Sequence, residues 1–216
     1  MIELKDIGKR FRYEWIFKNI THTFENGKSY AVLGPNGSGK STLMKILSGH
    51  LTPSAGEITF YNNGKKRDSD TVYHLISYAA PYIDLIEELT LTEIIAFHSK
   101  FKPLSKKLSG STESAKINSL IEILNFQKSR NKEIRFFSSG MKQRLKLALA
   151  ICSETPILLL DEPTTNLDAQ GVEWYQNLIK NFVLESPTQD RLVIVASNIE
   201  HDYLFCGEKM DILRYK

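Results

Sequence analysis

Eight residues constrain this chain more than any others. Gly34-Pro35-Asn36-Gly37-Ser38-Gly39-Lys40-Ser41 matches G-x-x-x-x-G-K-[ST], with the strand-like run 29–33 directly before it and a helical stretch, 42–47, directly after. The glycines let successive backbone N–H groups converge on one anion, and the helix start turns the positive end of its dipole toward the same place. Lys40 adds a full charge for β- and γ-phosphates. Ser41 adds a hydroxyl for Mg²⁺, which takes oxygen ligands in octahedral geometry. The expected nucleotide contacts are Asn36, Gly37, Ser38, Gly39, Lys40, Ser41 and Thr42. A glycine turn that only joined strand to helix would not need the complete spacing.

The run 157–160, Ile-Leu-Leu-Leu, reads as a buried strand that ends in Asp161 and Glu162. Carboxylates at the C-terminal edge of a parallel strand project into the crevice where nucleotides sit. Asp161 is suited to hold the metal, with Ser41, and Glu162 to take a proton from the attacking water or orient it. With 192–196, Leu-Val-Ile-Val-Ala, these runs predict an α/β core of buried parallel strands. Residues 2–5 and 56–61 look more amphipathic, and Asn62-Asn63-Gly64 has the composition of a hairpin turn, so a small antiparallel sheet is expected beside the core. The middle third reads as helical. Thr90-Leu91-Thr92-Glu93 has capping-box spacing, and Ile117, Leu120, Ile121 and Leu124 fall on one helical face. Residues 102–112, rich in Ser, Lys, Pro and Gly, read as a mobile surface loop.

With 216 residues, 42% apolar and 25% charged, the chain can bury a sizeable core. A net charge of +3 is far from the concentrated basic field of a dedicated nucleic-acid binder, so no nucleic-acid partner is expected. The two cysteines, Cys152 and Cys206, sit in no metal or redox motif, which fits a reducing compartment. Charged residues interrupt the N-terminus and no apolar run nears the roughly 20 residues needed to cross a bilayer. The expected location is cytoplasmic, with any membrane span on another polypeptide.

A phosphate loop and an acidic strand end would also suit a small-molecule kinase or a GTPase. Two further motifs separate these readings. Phe137-Ser138-Ser139-Gly140-Met141-Lys142-Gln143-Arg144 resembles the signature of ABC ATPases, usually L-S-G-G-Q followed by a helix. Asp161-Glu162-Pro163-Thr164-Thr165-Asn166-Leu167-Asp168 resembles their joined Walker B and D-loop. The resemblance spans essentially the whole chain. It implies one ABC ATPase domain over 1–216: a RecA-like P-loop core at about 1–80 and 154–216, a small N-terminal antiparallel β-subdomain, and an α-helical subdomain at about 82–153 carrying the signature.

The same resemblance implies ATP and Mg²⁺ as ligands, with Lys40, Glu162 and Asn198 as catalytic residues. It implies that Ser138 and Gly140 face the γ-phosphate bound by a second copy, so that ATP closes a dimer. Adenine stacking falls on Phe11, nearly thirty positions before Lys40; Tyr13 and Trp15 compete, and packing in a small sheet would account for all three. Two positions depart from the pattern. Pro81 stands where the family usually carries the Q-loop glutamine, and Asn198 where it carries the switch histidine. His201, one turn on, is read as solvent-facing beside Asp202 rather than as a substitute, since phosphoryl transfer depends on positioning.

The implied function is the ATP-hydrolysing subunit of a transporter, peripheral on the cytoplasmic face of the membrane, with membrane-spanning subunits on separate chains. Residues 82–89 are where the family docks its membrane partner. Ile83, Leu85, Ile86 and Leu89 offer an apolar surface there, though core packing explains them equally well. The alternative is a non-transport ABC protein acting as an ATP-gated clamp; the linker between paired nucleotide domains and the coiled coil usual in that class are not in this sequence.

Overall fold

The computed structural model describes residues 1–185 and 190–216, with Ser69 and Asp70 described by backbone alone. The chain divides into two compact units. The first comprises Met1–Tyr78, Pro156–Glu162 and Asp190–Lys216.

In this unit, β1 (Ile2–Phe11), β2 (Glu14–Phe24), β4 (Ala55–Asn62) and β5 (Lys65–Arg67) form an antiparallel sheet in the order β2-β1-β4-β5. Its inner face is set by alternation: Ile2, Leu4 and Ile7 are buried while Glu3 and Lys5 are exposed. The β4–β5 connection is a two-residue hairpin turn, Asn63 at φ 51° and Gly64 at φ 72°, the left-handed pair expected of Asn-Gly.

Five strands make the second sheet in the order β6-β7-β8-β3-β9: β3 (Ser29–Leu33), β6 (Ile76–Ala79), β7 (Ile157–Asp161), β8 (Leu192–Ala196) and β9 (Glu208–Asp211). Strands β7 and β8 are buried at every position. An apolar side chain on both faces suits only a parallel strand covered on both sides, and the β7–β8, β8–β3 and β3–β9 pairings are all parallel. Helix α1 (Lys40–Leu47) follows β3 and buries Leu43, Met44, Ile46 and Leu47 in the same core as Val32, Leu159 and Ile194. The architecture is thus α/β with the small antiparallel sheet, as expected.

The second unit comprises Ala79–Thr155 and residues 163–185, a wider span than the 82–153 expected for the helical part. It holds α2 (Leu91–Ser99), α3 (Glu113–Leu124), α4 (Ser139–Ile151) and α5 (Ala169–Ile179). Helix α2 opens on the full capping box: Thr90 N–H donates to Glu93 Oε2 at 2.8 Å, and Thr90 Oγ1 accepts from Glu93 N at 3.4 Å. Residues 102–112 are not the mobile loop expected from their composition. Leu104 and Leu108 are buried, Ser105 N–H donates to Cys152 O at 2.8 Å, and Glu154 N–H donates to Pro103 O at 2.8 Å. Two leucines anchor the segment, and the end of α4 needs acceptors and donors that it provides. Both cysteines are buried thiols without a disulfide, and burial pushes Cys206 up to about 12.

His98 on α2 places its Nε2 2.9 Å from Ser153 Oγ; burial, then the charge of Lys102, lower its pKa from the ordinary 6.5 to about 4. Between those two pH values the unfolded chain binds a proton that the folded chain refuses. Stability from this group is therefore complete above pH 6.5 and falls as pH drops to about 4, by about 3 kcal/mol. In urea titrations at intervals of pH across this window, His98→Gln is expected to flatten the decline.

Candidate nucleotide site

The site is assembled by register. Val32 on β3 is opposite Ala196 on β8, and Ala196 is opposite Asp161 on β7. The residues that leave the sheet next are Gly34, Ser197 and Glu162, so loop, intervening turn and acid lie along one C-terminal edge. Two backbone bonds extend the lacing beyond the strands: Ser197 N–H to Val32 O at 3.3 Å and Glu162 N–H to Ala196 O at 2.8 Å.

Within the loop, Gly34, Gly37 and Gly39 have φ of 152°, 77° and 102°. A Cβ on Gly39 would lie 2.6 Å from Ile16 Cγ2, so the β2 strand presses directly on the loop. Gly37 has nothing within 4 Å of that position, which leaves the mouth of the loop clear. Gly39 caps α1 without any side-chain bond, so the first-turn amides are left for an anion. Lys40 is 4% exposed, and its ammonium donates to Gly34 O at 2.8 Å and Pro35 O at 3.2 Å. Ser38 Oγ is buried with no hydrogen-bond partner among the described residues. A buried orphan hydroxyl, free helix-start amides and a primary ammonium form a donor set that fits phosphate.

Asp161 is fully buried at the end of β7. Glu162, partly exposed, adopts φ 44°, a conformation that costs a non-glycine residue energy and clusters at functional sites. No group of three or more His, Cys, Asp or Glu side chains among the described residues is placed to hold a metal. A magnesium ion here would draw on Ser41, Asp161 and the phosphates themselves. Asn198 is exposed and donates from Nδ2 to Asn36 Oδ1 at 3.3 Å, which brings these two candidates together. His201 sits 3.6 Å from Asp202, its side chain 38% exposed.

Of the three aromatics, Trp15 is engaged: a Cβ on Gly8 would lie 2.9 Å from its ring, and Arg10 and Lys18 stand over it at 5.6 and 5.2 Å. Phe11 also carries a cation, Lys9 Nζ at 5.2 Å from its ring centre, but is 49% exposed, and Tyr13 is 95% exposed.

The signature lies in the second unit. Ser138 is the N-cap of α4 and accepts from Met141 N at 3.2 Å. Ser138, Gly140, Met141 and Arg144, with Asn166, Leu167 and Asp168, line a concavity of about 300 Å³. Two neighbours escaped sequence reasoning. Gln143 is 1% exposed and donates to Pro163 O at 2.8 Å, and Arg144 stacks its guanidinium on Phe126 and Trp174 at 5.4 and 4.7 Å. A polar residue, Gln143, on the otherwise apolar buried face of α4 was the available signal. Pro81 makes its polar contact through the backbone: Lys146 Nζ on α4 donates to Ala80 O at 3.2 Å and Pro81 O at 2.9 Å, and burial lowers the lysine's pKa.

Residues 17–165 match the family model described as ABC transporter. The chain belongs to the ABC transporter family. Among its relatives, the lantibiotic transport ATP-binding protein SrtF of Streptococcus pyogenes is 31% identical over 96% of this chain and 86% of its own length. The ABC transporter ATP-binding protein YybJ of Bacillus subtilis, itself uncharacterized, is 32% identical over 94% and 88%. The fold of this ABC protein is that of solved cassettes. The ATP-binding cassette MJ0796, in a dimeric post-hydrolysis state bound to ADP and Pi, aligns with TM-score 0.80 at 23% identity, covering 98% of this chain and 94% of that one. A putative ABC transporter ATP-binding protein from Pyrococcus furiosus aligns with TM-score 0.77 at 24% identity over 100% and 98%.

In this ABC protein the loop leaves no room for a side chain at Gly39. Gly39→Ala adds a methyl group 2.6 Å from Ile16 Cγ2 at a φ of 102° and is expected to destabilise the chain by about 2 kcal/mol and displace the helix-start amides. Thermal unfolding together with titration of a fluorescent ATP analogue checks both effects.

Proposed function

We propose that this chain, as one ABC ATPase domain over residues 1–216, binds and hydrolyses ATP to power a transporter whose membrane-spanning subunits are separate chains. The observation that carries this reading is the single sheet edge holding the Gly34–Ser41 loop, the Ser197–Asn198 turn and the Asp161–Glu162 acids in consecutive order. No helix among the described residues is long and apolar enough to cross a membrane. In this reading the cassette acts from the cytoplasmic face on partners that supply the span.

In this reading the labour divides as follows. Lys40 exchanges two carbonyl oxygens for β- and γ-phosphate oxygens, while the amides of Gly37, Gly39, Lys40, Ser41 and Thr42 and the Ser38 hydroxyl take the remaining phosphate oxygens. Ser41 and Asp161 would hold Mg²⁺, which when bound neutralises charge on the phosphates. Glu162 orients the attacking water and accepts its proton, and Asn198 donates to a γ-phosphate oxygen in place of an imidazole. Phe11 stacks on adenine, with Tyr13 and Trp15 as its competitors. The chemistry needs one further set of donors facing the γ-phosphate. The helix start at Ser138 and Gly140 is of that kind, and a second copy related by a two-fold would present it. The dimeric form of the MJ0796 cassette supports this arrangement.

Glu162→Gln keeps the shape of the site and removes its base. With ATP and Mg²⁺ it is expected to elute from gel filtration as a dimer, and Lys40→Ala under the same conditions as a monomer; monomer for both would count against the composite site. Wild-type chain without its partner is expected to bind ATP normally. Its turnover should lie about 10²- to 10³-fold below that of a cassette bearing both Gln and His, the usual cost of one lost preorganised donor. Equal basal rates in a phosphate-release assay would contradict the roles given to Pro81 and Asn198.

A further inference from the structure

Two polar side chains behind Asn198 are fully buried and have no part in the division of labour above. Ser197 and Asp202 are both 0% exposed. A buried carboxylate is costly unless it is well bonded. Asp202 accepts from Ser197 Oγ–H at 2.5 Å through Oδ2, and its other oxygen lies 3.6 Å from His201 Nε2. The Ser197 hydroxyl oxygen in turn accepts from Ile199 N at 3.0 Å. Asp202 N–H closes the circuit on Ile199 O at 3.1 Å. Ser197 is also tied by its own N–H to Val32 O at 3.3 Å, on the strand that leads into the phosphate loop.

The Ser197 N–H and both backbone groups of Ile199 are therefore held, while the Asn198 side chain reaches out, 3.3 Å from Asn36. This matters more for an amide than for an imidazolium. A neutral side chain is not drawn to phosphate by charge at a distance, so its aim depends on where the backbone puts it.

We infer that Asp202, acting through the Ser197 hydroxyl, is a positioning residue that holds the 197–199 turn so that the Asn198 amide meets the γ-phosphate. The inference rests on the proposed reading of Asn198 as a γ-phosphate donor. Asp202 is carried by the short helix α6 (Glu200–Tyr203).

Steady-state ATP hydrolysis by the intact chain, with Mg²⁺, tests it. Ser197→Ala and Asp202→Asn are each expected to lower kcat about tenfold, the weight of one hydrogen bond, with KM for ATP within about twofold of wild type. Ser197→Thr, which keeps the hydroxyl, is expected to restore kcat to within about threefold. Adding Asn198→Ala to Ser197→Ala should cost little more than Asn198→Ala alone, since both act through the same amide. Unchanged kcat in Ser197→Ala, a rise in KM matching the fall in kcat, or losses that multiply would each overturn the inference. If Asp202→Asn fails to fold, the Ser197 series decides alone. Absence of any wild-type turnover would instead overturn the ATPase reading itself, and this inference with it.

Discussion

Everything polar in the first unit depends on the pairing of β8 between β3 and β7. Parallel strands lie about 4.8 Å apart, so one intervening strand sets the phosphate loop and the acidic strand end about 10 Å from each other. A triphosphate with its metal needs a gap of that order. The pairing itself is apolar: Leu-Val-Ile-Val-Ala and Ile-Leu-Leu-Leu are buried at each position, and each side chain buried from water is worth about 1.5–3 kcal/mol before entropy is charged against it. A register slip of one residue would turn these side chains over and carry Asp161 and Ser197 off the edge together. Core packing thus sets the geometry of this edge.

The charges are held on the same principle. Lys40 is nearly buried with its ammonium on two loop carbonyls, and Asp161 is fully buried at the opposite side of the row. A buried cation that has only neutral acceptors is poised to exchange them for anionic ones, because the attraction is stronger where water is excluded. The loop is built to make the same exchange easy. Gly37 leaves its mouth open, while Gly39 is held from behind by Ile16 and Phe17, so the backbone gives way on the ligand side only.

Much of this was legible in the sequence because the relevant signals are local. The glycine spacing, the apolar runs ending in acids, the Asn63-Gly64 turn and the Thr90–Glu93 box each state a backbone conformation within a few residues. What was not legible depends on partners far along the chain. Residues 102–112 have the composition of a mobile loop, yet Leu104 and Leu108 find a buried place against the end of α4 more than forty residues on. Lys146 was one more helix residue until Pro81 brought two carbonyls to it. Asp202 entered the sequence reading only as the neighbour of His201; the fold shows that it is buried and bonded to Ser197.

The two departures from the family pattern acquire a common physical sense from these partners. Glutamine and histidine contribute mobile polar groups, and the histidine also carries a proton that comes and goes near neutral pH. Pro81 and Asn198 contribute neither. At Pro81 the contact passes to the backbone, whose carbonyl, with that of Ala80, is held by an ammonium on the helix that opens at Ser138. At Asn198 the donor remains but its charge does not, and its flanks are bound to a buried acid and to the loop strand. Both changes replace a response to charge with a position fixed by the fold. In the proposed reading, a site built this way gives up speed rather than affinity, because the interactions it lacks are those that strengthen only as charge develops in the transition state.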